Sequence, residues 1–240
     1  MFKVIIDKGA DSEGYKYIRS IFEEIGLADM FDWFYTHNEG RDNPYHNNTH
    51  TFCVVELIRQ YCDSVGADIN DSGRRQFLVA ALFHDFNHSG GKEIDSVNIK
   101  RANEGFFAAW QENRRNLLNK EITRILPFEA YIISSLIRST EYPYDDWDIK
   151  NESNLIKFGK ALRQADILSY EHDAWHEYVF EGLLKELGDN APKDKNEALI
   201  RMLDFHKVLV DKYVKDEFFV EFAKEHFPLF EENVRSYLCL

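Results

Sequence analysis

Apolar side chains recur at steps of three and four along most of this chain, and strand-like alternation is nearly absent. That spacing gathers apolar residues on one face of an α-helix, so the chain is expected to bury itself helix against helix. Tyr15, Ile18, Ile21, Phe22 and Ile25 mark a first helix, and Gly26 follows as a stop. Further helices are predicted over 29–35, 45–64, 73–85 and 94–110, then from Pro127, which suits a first helical turn. The remaining ones are predicted over 153–168, 170–187, 195–213 and 217–237, with a break near Pro228 in the last. Polar stretches at 36–44 and 141–151 read as loops. No repeat or convincing linker interrupts the pattern. The expectation is one compact all-α domain over residues 1–240, a length that leaves ample chain for a buried core.

Charge narrows the function. Lys and Arg number 29 against 42 Asp and Glu, a net charge of -13, which repels bulk nucleic acid and anionic membrane surfaces. A phosphate-bearing substrate would need local cations to overcome that field, and bound metal is the obvious source. Aromatic residues reach 15%, but the aromatic-rich segment 218–230 is mixed with acids rather than with the basic residues of a base-stacking surface. Cys53, Cys62 and Cys239 fit neither a zinc knuckle nor a disulfide framework, and suggest a reducing interior. No run approaches the ~18 apolar residues of a membrane span, and the apolar stretch from Val4 to Ile6 is too short for a secretion signal. A cytoplasmic protein is expected.

Nine histidines are present, and four of them fall into two tight groups. The first is Tyr45-His46-Asn47-Asn48-Thr49-His50. If it opens a helix, His46 and His50 share a face. The second, His84-Asp85-Phe86-Asn87-His88, ends the apolar run Leu78 to Phe83, and again sets two histidines four apart. Placing His, Asp and His at the end of an apolar helix is costly unless something pairs them. A divalent ion would do so, and so would a helix-capping polar network. Asp166 is the best remaining ligand, since it is the one carboxylate in the apolar stretch Ala161 to Leu168; a salt bridge to Arg163 or Arg138 is its alternative. His172, His176, His206 and His226 lie outside these groups and are expected at helix surfaces or boundaries. Arg101 reads as a surface residue, and Asp145, Asp146 and Asp148 as a solvated loop.

The order His50, His84-Asp85, Asp166 is the H…HD…D signature of the HD superfamily of metal-dependent phosphohydrolases. Within it, Tyr45 to His50 resembles the YHNxxH segment of class I cyclic nucleotide phosphodiesterases, and His84 to Gly90 resembles their HDxxHxG segment. Arg138 to Glu141 is similar to their Thr-acid segment, and Gln164 to Ser169 to their Ala-Asp-Leu-Ser segment. Trp175 and Phe227 to Phe230 echo later landmarks. The resemblance spans about residues 45–230, and the two His motifs in one chain are its specific part. It implies a first metal, zinc or else iron or manganese, on His50, His84, Asp85 and Asp166. It also implies a second, magnesium or manganese, bridged by Asp85 and held mostly by water. His88 and Thr140 would orient those waters, His46 would be the general acid, and a hydroxide bridging the two metals that Asp85 joins would be the nucleophile. Tyr45, Asn47 and Lys92 are candidate substrate contacts.

The chemistry of these residue types agrees. Two cations lower the pKa of a shared water enough to make a nucleophile near neutral pH. The departing alkoxide needs an acid, and His46, one turn from His50, is placed to serve. The family's catalytic domain is longer, and it holds the purine edge with a late Gln that segment 218–230 lacks. The stretch 90–98 looks more like bacterial or viral HD proteins. The expected substrate is a small phosphate ester, a cyclic nucleotide first, opened to a monophosphate. The alternatives are an HD-type 5′-nucleotidase and a nucleotide-binding sensor without turnover. Di-iron oxygenases of the superfamily usually carry extra histidines between the HD pair and the last Asp, and between His88 and Asp166 there is none.

Overall fold

The helix that organises the molecule is α4 (Asp71–Phe83), whose residues from Gln76 to Phe83 are all buried. A helix apolar all round must be enclosed by others. In the computed structural model, which describes residues 3–116, 125–144 and 154–238, α4 lies against α3 (Asn48–Val65), α5 (Asp95–Asn116), α6 (Pro127–Arg138) and α7 (Asn154–Leu168). Ahead of these come α1 (Glu13–Glu24) and α2 (Ala28–His37). Behind them come α8 (Glu181–Leu187), α9 (Lys195–Tyr213) and α10 (Glu217–Leu238). The described residues form these ten α-helices with short helical turns between them, and contain no strand. No helix among them is long and apolar enough to cross a membrane.

Local signals explain the boundaries. Ser12 Oγ accepts the Tyr15 N–H at the start of α1, and Gly26 turns the chain out with φ 74°. Asn70 and Asp194 cap α4 and α9 in the same way. Three expectations need correction. The third helix begins at Asn48, not residue 45, because the Asn47 carboxamide accepts the N–H groups of Thr49 and His50 and so sits at the cap. Residues 170–187 are not one helix: a turn precedes a π-helical turn at His176–Phe180, and only then α8 follows. The last helix runs through Pro228, which is exposed; the carbonyl that its ring deprives of a partner can face water, while Phe222 and Phe230 anchor both sides.

Side chains pack into two apolar clusters. The larger is built on α1 to α7, with help from α9 and α10, and contains Phe22, Phe31, Phe52, Phe77, Leu82 and Phe83. The smaller joins Tyr45 to Trp175, Phe180, Leu203, Phe230 and Val234. Each fully buried side chain of this size contributes roughly 1.5–3 kcal/mol relative to exposure. Cys53 and Cys62 are both buried free thiols, and Cys239 lies outside the described residues, as do Asp145, Asp146 and Asp148.

Candidate metal centre

The end of α4, the start of α3 and the last turn of α7 deliver four polar side chains to one place. His50 comes from the first turn of α3 and His84 from the residue that ends α4. Asp85 follows His84, and Asp166 comes from the last turn of α7. His50 Nε2 lies 3.3 Å from His84 Nε2, 3.2 Å from Asp85 Oδ2 and 3.2 Å from Asp166 Oδ1. His84 Nε2 lies 3.5 Å from the same Asp85 oxygen and 3.8 Å from the same Asp166 oxygen. Donors bound at ~2.0–2.2 Å to one divalent ion stand roughly 3–3.6 Å from their neighbours, so this donor set fits such an ion.

Each imidazole is turned the right way by a partner at its other nitrogen. His84 Nδ1 lies 2.8 Å from the Ala81 carbonyl, which fixes its hydrogen there and leaves Nε2 a lone pair. His50 Nδ1 lies 3.2 Å from Ser169 Oγ, which donates its own hydrogen to the Asp166 carbonyl. The Tyr45 hydroxyl is 3.1 Å from the same nitrogen. Burial would lower the His50 pKa, but hydrogen bonds to Asp166 and Asp85 outweigh it and lift the value to about 9. Burial would raise Asp85, yet His84 and the hydrogen bond to His50 hold it well below the usual carboxylate range.

Next to this cradle stand His46 and His88, their rings stacked at 3.8 Å. His46 does not occupy the helical position expected of it. His46 precedes the Asn47 cap, so it shares no helix face with His50, although the rings still meet edge to face at 5.9 Å. His88 lies beyond α4, which ends at Phe83, and Asn87 just before it takes a left-handed conformation (φ 55°). The sequence offers no sign of Glu186, from α8, which accepts His46 Nδ1–H at 2.6 Å on one oxygen and the Tyr45 and His46 backbone N–H groups at 2.8 Å on the other. Burial raises the Glu186 pKa, but these bonds outweigh it and the group stays low. Burial, then the neighbouring His46, pushes His88 down to about 4, so the stacked pair avoids carrying two charges. The His88 ring is held by the Gly90 N–H at Nδ1 and faces the Asn98 amide at 2.9 Å from Nε2.

Carboxamides join the two loops. Asn43 Nδ2 donates to the carbonyls of His88 (2.7 Å) and His46 (3.2 Å). Asn38, buried, accepts the Asn87 N–H and donates to Asn48, which donates to Asp7. Of the remaining expected site residues, Asn47 spends its amide on the cap and on the Asn43 and Pro44 carbonyls. Tyr45 is buried against His50. Both are committed to holding His50 rather than facing open space. Thr140 is buried and gives its hydrogen to the Ile137 carbonyl. Lys92 is exposed on the loop after His88. Arg163 binds the Ser139 carbonyl and lies over the Tyr144 ring, and Arg101 pairs with Glu93. Asp95 accepts the Tyr142 N–H, and burial, then Asp85 and Asp166, raises it to about 6. His172 and His206 correct the surface expectation: both are buried, and His206 pairs with a buried Glu171.

No family model and no curated protein matches this chain.

Proposed function

We propose that this protein is a metal-dependent phosphohydrolase of the HD type, acting on a small phosphate ester, with a cyclic nucleotide diester as the first candidate. The observation that supports this best is the convergence of His50, His84, Asp85 and Asp166 beside a histidine oriented by a carboxylate. Divalent ions on those ligands would supply Lewis acidity and lower the pKa of the attacking water. The chain's own residues do the rest. His84 and His50 are locked as lone-pair donors by Ala81 and Ser169. Glu186 holds His46 Nδ1, so its other nitrogen is the one that carries a proton to the leaving oxygen. Water adds to phosphorus, the ester bond breaks, and the released alkoxide leaves as an alcohol with the His46 proton. A net charge of -13 makes local cations a requirement for binding any phosphate here.

The test is turnover. Purified protein is incubated with Mn or Mg and 3′,5′-cyclic nucleotides, bis(p-nitrophenyl) phosphate and nucleoside monophosphates, and products are resolved by chromatography. Metal-dependent ring opening to a monophosphate is the expected result. Inorganic phosphate from monophosphates alone would make it a nucleotidase. Bound metal without any turnover would overturn the enzyme reading in favour of a sensor.

A further inference from the structure

His46, His88 and Glu186 stand beside the cradle as a second group of donors. One atom from each, two imidazole nitrogens and a carboxylate oxygen, lies within 4.8 Å of the other two. His46 Nδ1 and Glu186 Oε2 are 2.6 Å apart, and the His88 ring is stacked on that of His46. None of the three is a ligand of the cradle. The Glu186 side chain is 3% exposed and that of His46 24%, so the carboxylate lies buried behind an imidazole that solvent reaches. Two imidazoles and a carboxylate are a zinc ligand set, with the fourth position of a tetrahedron left for water. Nitrogen donors also favour zinc over magnesium and manganese, which prefer oxygen.

Spacing ranks this group below the cradle. There, His50 and His84 already stand 3.2–3.8 Å from their two carboxylates. Here, His46 and Glu186 must part from 2.6 Å to roughly 3 Å to admit an ion. His88 must also exchange a partner, either the Gly90 N–H at Nδ1 or the Asn98 amide beside Nε2. Those adjustments oppose binding, so this group fills after the cradle and at higher zinc. We propose that His46, His88 and Glu186 form a second zinc site, separate from the cradle, whose occupation switches off the general acid. Zinc takes His46 Nδ1 and the Glu186 oxygen in place of the proton between them, and that proton passes to solvent. A neutral ring bound to zinc is a far weaker acid than the imidazolium it replaces, so the leaving oxygen goes unprotonated. The site itself stands on the donor geometry, and the switch rests on the phosphohydrolase reading, in which His46 is the acid.

Metal-free protein is titrated with zinc against a chromophoric chelator, and bound zinc is counted. Wild type should take up one equivalent more than His46→Ala, His88→Gln and Glu186→Gln. Each variant should bind that last zinc at least ~10–100-fold more weakly, the scale for disturbing a group that only touches a ligand. Asp166→Ala, which damages the cradle, should keep it. Three variants serve in case one does not fold. Equal uptake by wild type and all of them overturns the site. So does a loss confined to His88→Gln, because that places the ion with the waters His88 is expected to orient. Turnover tests the switch. With manganese present, zinc at the concentration that fills the last site should bring wild-type activity toward the level of His46→Ala and leave the residual activity of Glu186→Gln unchanged. Equal fractional inhibition of the two overturns the switch. Uptake of the extra zinc by a protein that turns over no ester upholds the site, and overturns the switch together with the parent reading.

Discussion

Gly182 separates two opposed forces with a sign. It lies in α8, one turn before Glu186, where an added methyl would stand 2.6 Å from the Pro44 carbonyl oxygen and 3.1 Å from Tyr45 Cβ. Elsewhere in a helix, Gly→Ala gains about 1 kcal/mol. Here the obstacle is backbone on a loop that also carries His46, and overpacking of that kind costs about 2–3 kcal/mol. Gly182→Ala should therefore destabilise by a net ~1–2 kcal/mol, which lowers the melting temperature of a chain this size by roughly 2–8 °C. Relief requires α8 to back away from Pro44, and Glu186 must then release His46 Nδ1 from its 2.6 Å contact. Turnover should fall while metal content holds. Calorimetry together with metal analysis reads both effects. A Gly182→Ala protein that melts higher than wild type would show that helix propensity wins and that the Pro44 contact does not constrain α8.

Other outcomes follow from the site and the core. Asp166→Ala should lose the first metal, measured by elemental analysis, with helical circular dichroism retained; full metal content would remove Asp166 from the ligand set. His46→Ala should lower turnover ~10²-fold or more with metal nearly intact, and equal activity would exclude it as the acid. His172 is buried and held at about 4 by that burial, against an ordinary value of 6.5. Its folded form resists protonation that the unfolded chain accepts, so its contribution is complete above pH 6.5 and is lost as pH falls toward 4. The loss is on the order of 3 kcal/mol. Urea unfolding of wild type and His172→Gln across pH 4–7 should show the steeper decline in wild type; parallel curves would refute the assignment.

Much of the fold was readable because its cause is local. The 195–213 helix is bounded by an Asp194 cap, and Pro127 opens α6, so composition over a few residues sufficed. The four cradle residues were readable too, since ionisable groups inside apolar helices advertise an unmet need. The errors share a different origin. Tyr45-His46 looked helical because an i, i+4 pair fits a helix, but the Asn47 carboxamide outcompetes it as a cap. Glu186 and Glu171 are far from their histidines in the chain, and no periodicity marks an acid whose partner arrives only by folding.

The carboxamide stitching of the two loops has a consequence for acid exposure. Asn38, Asn43 and Asn48 have no proton to gain or lose in the ordinary pH range, so the bonds of Asn38 to Asn48 and of Asn43 to the His88 carbonyl do not depend on it. Acid would therefore leave these amide bonds in place, and an ion leaving the proposed ligands would leave behind two loops still joined at their backbones.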